Sequence, residues 1–106
     1  MNESAYQAKL IKKLHKLFPG CIILKNDSML KQGILDLTVL YNDRWAALEV
    51  KRDANAPARP NQDFFVHRLN EMSYAAFVYP ENEEEVLHAL QQAFEPPRRA
   101  RVFKSK

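Results

Sequence analysis

A chain of 106 residues, 46 % of them apolar, is the size of one domain around one compact core and leaves no room for a second. Its single cysteine, Cys21, excludes an internal disulfide and a cysteine-based zinc knot, and its longest aliphatic runs, such as Ile22-Ile23-Leu24, fall far short of a membrane span; the expectation is a soluble, cytoplasmic protein with no membrane partner. The formal charge of +3 is unevenly placed: residues 96–106 hold five of the 16 basic residues and none of the 13 acidic ones, leaving 11 against 13, or −2, in residues 1–95.

From Ser4 to Phe18, Tyr6, Leu10, Ile11, Leu14, Leu17 and Phe18 recur at helical spacing, with Lys9, Lys12, Lys13 and Lys16 on another face. Ser4 and Gln7 fit a reciprocal capping pattern at the start, and Pro19-Gly20 closes the end. Cys21 to Lys25 reads as a short strand. Ile34 to Tyr41 and Trp45 to Lys51 read as two more, joined by a tight turn at Asn42-Asp43-Arg44, where Asn and Asp tolerate left-handed backbone. Asp53 to Pro60 is a loop, and Pro60 suits the first turn of a helix that carries Phe65, Leu69 and Met72 on one stripe. A fourth strand spans Tyr74 to Tyr79. A last helix runs from about Asn82 to Phe94, with Glu83, Glu84 and Glu85 at its positive end and Val86, Leu87, Leu90 and Phe94 on its apolar face. The order α-β-β-β-α-β-α predicts an α/β sandwich of two or three layers around a mixed sheet. The basic tail suits either a phosphate-binding arm or a solvated end, without fixed structure of its own.

The chemistry-bearing residues lie on the hairpin. With a two-residue loop, Tyr41 pairs with Arg44 and Asp36 falls opposite Glu49 in a non-hydrogen-bonded pair, where side chains approach most closely. Alternation puts Lys51 on the face of Glu49, and sends Leu35, Leu37 and Val39 to the other face with Leu48 and Val50, so that no apolar layer opposes the acid pair. Like charges across a hairpin repel, and a shared proton or a cation between them removes the conflict. Mg²⁺ takes oxygen ligands, is commonly held by one or two carboxylates with waters and phosphate oxygens, and can activate a water for attack on phosphorus, which makes metal-assisted phosphodiester hydrolysis the functional expectation. Lys51 would orient or deprotonate that water and offset the charge building on the phosphate. The same three residues also suit an exposed ion pair on a surface hairpin. His15, His67 and His88 have no second histidine or cysteine at ligand spacing, which argues against zinc. Trp45, Phe64 and Phe65 suit the core as well as base stacking.

The stretch Gln32-Gly33-Ile34-Leu35-Asp36-Leu37 followed by Leu48-Glu49-Val50-Lys51 resembles the PD-(D/E)XK nuclease superfamily, and within it the VRR-NUC and Holliday-junction-resolvase-like stand-alone nucleases of viruses and phages. Leu35 stands where that family often has proline before the aspartate. The resemblance implies a restriction-endonuclease-like αβββαβ core, a mixed central sheet flanked by helices, with an added C-terminal helix: one nuclease domain over 1–95 and a flexible basic tail over 96–106. It implies a Mg²⁺-dependent endodeoxyribonuclease, Mn²⁺ substituting, with no nucleotide cofactor. Its substrate would be DNA, at Holliday junctions or other branched forms, and it would act as a homodimer. The alternatives are a nicking or restriction-like nuclease without junction preference, or a DNA-binding module that keeps only the fold. It further implies Asp36, Glu49, Lys51 and Gln62 as catalytic residues, and Glu3, Asp36, Glu49 and the Val50 backbone carbonyl as metal ligands. Glu3 is open to a second reading as a first-turn acid favoured by the helix dipole. Gln62 shares a stripe with Phe65, Val66 and Leu69, which would aim it at the site, its other reading being a solvated first-turn residue. Lys25, Lys31, Arg52 and Arg59 flank the site, and with Arg98, Arg99 and Arg101 of the tail they are candidate phosphate contacts, or ordinary solvated cations.

Overall fold

The computed structural model describes residues 1–95, so the tail with Arg98, Arg99 and Arg101 lies outside the described residues. The elements run α1 Glu3–Leu17, β1 Ile22–Lys25, β2 Leu37–Tyr41, β3 Arg44–Val50, α2 Gln62–Met72, β4 Tyr74–Val78 and α3 Glu83–Phe94, with a 3₁₀ turn at Pro80–Asn82 before α3. This is the predicted order. The strands form one sheet in the order β1-β2-β3-β4, mixed because β1, β2 and β3 are antiparallel while β4 runs parallel to β3. A parallel neighbour needs a long crossover, and α2 with the loop before it supplies one.

Three helices cover the two faces, which makes three layers. On one face Tyr6, Leu10, Leu14 and Phe18 of α1 and its end, with Val86, Leu90 and Phe94 of α3, pack on Leu37, Val39, Leu48, Val50 and Val78. Phe18, Tyr41 and Phe94 close one end of this core, with ring centroids 5.1 to 5.6 Å apart. On the other face α2 lays Phe65, Val66 and Leu69 over Leu35, Ala47, Ala75 and Trp45. Small residues at 47 and 75 leave room for that helix.

Several expectations are corrected. The N-cap of α1 is Asn2 rather than Ser4: Asn2 Oδ1 accepts the Ala5 amide at 2.7 Å and its carbonyl accepts the Tyr6 amide at 3.0 Å, so Ser4 is already helical. Leu17 is exposed because it lies off the line of Tyr6, Leu10, Leu14 and Phe18 that meets the sheet. Met72 is 58 % exposed, and Val66 takes its place in the packed stripe. The strand expected from Ile34 begins only at Leu37. Leu35 packs on the α2 side and not with Leu37 and Val39, and an apolar layer therefore does lie beside the acid pair. The Asp36 amide donates to Glu49 Oε1 at 3.1 Å, a turn of the chain that ends the strict alternation one residue before the strand.

Among the described residues no helix is long and apolar enough to cross a membrane.

Candidate active site

The hairpin register fixes the site. Asn42 takes the left-handed φ of 56°, Tyr41 pairs with Arg44, and the register continues to Leu37 opposite Leu48, one step short of Asp36 and Glu49. By that register residues 35 and 50 would form the next hydrogen-bonded pair, but Leu35 has turned away. The two acids make the missing bonds: Asp36 Oδ2 accepts the Val50 amide at 3.0 Å, and Glu49 Oε1 accepts the Asp36 amide. Each carboxylate thus grips the backbone of the other strand, which holds the two side by side.

Lys51 directly follows β3, its amide donated to the Val78 carbonyl of β4 at 2.9 Å, so that the central strands position it as well. Gln62, the first residue of α2, joins the set. Its Nε2 donates to Glu49 Oε2 at 2.7 Å, while its Oε1 accepts from Lys51 Nζ and from the Arg59 amide, both at 2.8 Å. Lys51 Nζ also lies 3.6 Å from Glu49 Oε2. Glu49, Gln62 and Lys51, at 2 %, 4 % and 5 % exposure, are the buried polar side chains of the described residues, and they form one network. No buried side-chain nitrogen or oxygen among those residues lacks a partner.

Burial, and after it the negative charge of Asp36, pushes the Glu49 carboxyl up to about 7, against the opposing pull of Lys51 and of the Asp36 amide. The donor set suits a hard divalent cation: two adjacent carboxylates, each able to accept further bonds, with Asp36 Oδ1 in no hydrogen bond among the described residues. Val50 contributes its amide to Asp36 and its side chain to the core.

Glu3 occupies the first position of α1 and is partly exposed. With Lys51, Arg52 and Arg59 it lines a cleft of about 300 Å³. It is not drawn into one ligand set with Asp36 and Glu49, for among the described residues no three His, Cys, Asp or Glu side chains are grouped to hold a metal. Arg52 is exposed and bonded to Asp53 at 3.1 Å. Lys25 ends β1, exposed, with Leu37 as its partner across the ladder. Lys31 Nζ sits 5.8 Å from the centre of the Phe65 ring. His15, His67 and His88 are all exposed.

Sequence reasoning missed two supports. Asn26 donates its amide to the Asp36 carbonyl at 2.8 Å, and its Nδ2 to the Leu35 carbonyl and Thr38 Oγ1, each at 2.9 Å. Asn26-Asp27-Ser28 is legible as a turn, but nothing local shows the reach back to residues 35–38. Gly33, at φ 89°, is lodged against Asn61, the residue before Gln62: a Cβ there would stand 2.5 Å from Asn61 Cβ. Glycine beside a candidate aspartate was the available signal.

No family model, curated protein or solved structure matches the chain.

Proposed function

We propose that this chain is a metal-dependent endonuclease of the PD-(D/E)XK kind, with a restriction-endonuclease-like core, hydrolysing phosphodiester bonds in DNA through Asp36, Glu49, Lys51 and Gln62. The observation that carries the reading is the network Glu49–Gln62–Lys51, closed off from solvent beside Asp36 at the end of a hairpin. Burying an ion pair in this way adds little to stability compared with apolar residues of the same volume, so its presence is better explained by chemistry than by folding.

Mg²⁺ held by Asp36 and Glu49 would polarise the phosphate and make a bound water acidic enough to attack it. Glu49 and Gln62 fix the Lys51 ammonium at one point, where it can meet the negative charge that grows on the phosphate oxygens without reorganising. Gln62, bonded through both ends of its amide, orients Lys51 and Glu49 together. Arg59 and Arg52 at the cleft, with Lys25 and Lys31 near Asp36, supply cations for the flanking phosphates. Two symmetric cuts at a branch need two sites, and a two-fold homodimer supplies them.

Purified protein incubated with labelled four-way junction, duplex and single strand, in Mg²⁺ and in EDTA, tests the reading. Junction cleavage in Mg²⁺ alone, lost in Glu49→Gln, is expected. Cleavage that persists in EDTA or in Glu49→Gln overturns it, and equal cutting of all three substrates favours a nuclease without junction preference. Refolding wild type with an excess of Glu49→Gln should leave nicked rather than resolved junctions if the dimer acts.

A further inference from the structure

The loop between β1 and β2 carries the two most exposed large apolar side chains of the described residues, Met29 at 90 % and Leu30 at 87 %. Its tip is held in place. Asp27 Oδ1 accepts the Met29 amide at 2.9 Å and the Asp27 carbonyl accepts the Leu30 amide at 3.1 Å. Asn26 closes the base against residues 35 to 38, and Gly33 seats the returning strand on Asn61, next to Gln62. Two neighbouring apolar side chains, presented to solvent by a bonded turn on the loop that leads to Asp36, stay uncovered by the described residues, and exposure of that kind marks a binding surface.

The charges beside the tip select the occupant. Lys25 precedes the loop and Lys31 follows the tip, both exposed, against one exposed acid, Asp27, whose carboxylate is taken up by the Met29 amide, so the balance is positive and an anionic polymer is favoured. We infer that Met29 and Leu30 form a wedge that enters an opened base step beside the phosphate to be cut, so that the preferred substrate is DNA with interrupted stacking. The inference rests on the nuclease reading for the identity of the polymer. Apolar wedges between bases are a known way of gripping bent or opened DNA, and forcing apart an intact stack opposes binding, so the wedge discriminates in favour of sites already unstacked.

The test uses the full chain in Ca²⁺, with 2-aminopurine placed at the branch of a four-way junction or inside a continuous duplex of equal length. Wild type should raise the fluorescence of the junction probe. The double variant Met29→Ser/Leu30→Ser should abolish that rise and weaken junction binding about tenfold, while changing duplex binding less than about twofold. Both side chains are exposed, so its melting temperature should match wild type. An undiminished rise with the double variant, equal loss on both DNAs, or no binding of either DNA by wild type overturns the wedge. So does a dimer that becomes a monomer in the double variant with the fluorescence response intact, which assigns the tip to contact between copies. A wild type that raises the fluorescence but cuts nothing in Mg²⁺ supports the wedge and overturns the nuclease reading instead.

Discussion

On the α1/α3 side of the sheet, Leu10, Leu14, Leu37, Val39, Leu48, Val50, Val78 and Leu90 are fully buried, and the polar contacts sit at the margin. There Tyr6 Oη donates to Glu83 Oε1 at 2.7 Å, Lys13 pairs with the other Glu83 oxygen, and Arg44 donates to the Ala93 carbonyl at 3.2 Å. On the α2 side the buried apolar set shrinks to Leu35, Ala47 and Ala75, and the remaining interior is the Glu49–Gln62–Lys51 network. Apolar burial contributes roughly 25 cal/mol per Å², whereas a buried ion pair about breaks even. One face therefore supplies most of the folding energy, and the other holds charges at fixed positions at some cost to it.

Asp36→Asn, Glu49→Gln and Lys51→Ala should each lower Mg²⁺-dependent cleavage by about 10²-fold or more with the circular-dichroism spectrum retained. Leu14→Ala, on the opposite face, should cost about 2–5 kcal/mol in denaturant unfolding and leave the rate per folded molecule unchanged. A Leu14→Ala protein that stays folded but loses cleavage as fully as Glu49→Gln would show that the faces are not separable.

The pH dependence of stability sharpens the contrast. Glu49 ionises near its ordinary value when unfolded but at about 7 when folded, so between those values the native state binds the extra proton and stability falls as pH rises. In EDTA the melting temperature should drop from pH 5 to pH 8. Glu49→Gln or added Mg²⁺ should flatten that slope, and an unchanged slope in Glu49→Gln would remove the acid pair as its cause. Glu83 has the opposite sign. Burial alone would raise its pKa, but bonds from Lys13 and Tyr6 outweigh it and hold the carboxyl below the usual range, so its contribution is present above the unfolded value and lost as pH falls.

Gly33→Ala should come next in size, at about 1–3 kcal/mol, since the new Cβ meets Asn61 and the backbone is left-handed. It should also slow cleavage by shifting Gln62, which an assay on the folded fraction would detect. Glu83→Gln, at the margin of the α1/α3 face, should cost less than about 1 kcal/mol by thermal melts and leave cleavage alone.

The element order, the hairpin and its register were legible because they depend on neighbours in the chain: Asn42-Asp43 sets the turn, and counting outward from it pairs 37 with 48, one step short of Asp36 and Glu49. Gln62 was singled out by the family resemblance, its place on the stripe with Phe65 and Leu69 only gave it a direction, and it is buried as that direction requires. The face of Leu35 was not, because alternation holds only while a strand stays in its ladder, and here two side-chain carboxylates replace ladder bonds. Nor was the Asn2 cap, since Asn2 and Ser4 are both good caps and only tertiary packing of α1 selects between them. Asn26 and Gly33 bond or pack across loops, and while a glycine near Asp36 hints at a close approach, local pattern does not name Leu35, Thr38 or Asn61 as the partner.

Trp45 is the chain's single tryptophan, and it packs among Phe65, Val66 and Leu69 with its carbonyl bonded to Ser73 at the end of α2. Of the four tyrosines, Tyr6, Tyr41 and Tyr74 pack on the opposite core, while Tyr79 lines a pocket with Lys51 and Asp63. The single indole is therefore a reporter of the α2 side of the sheet. Emission excited at the indole alone should redden when α2 lifts and Gln62 leaves Lys51, even while the α1/α3 core stays as it was. Followed during denaturant unfolding, that colour change would read the loss of the Gln62 contacts with no label attached.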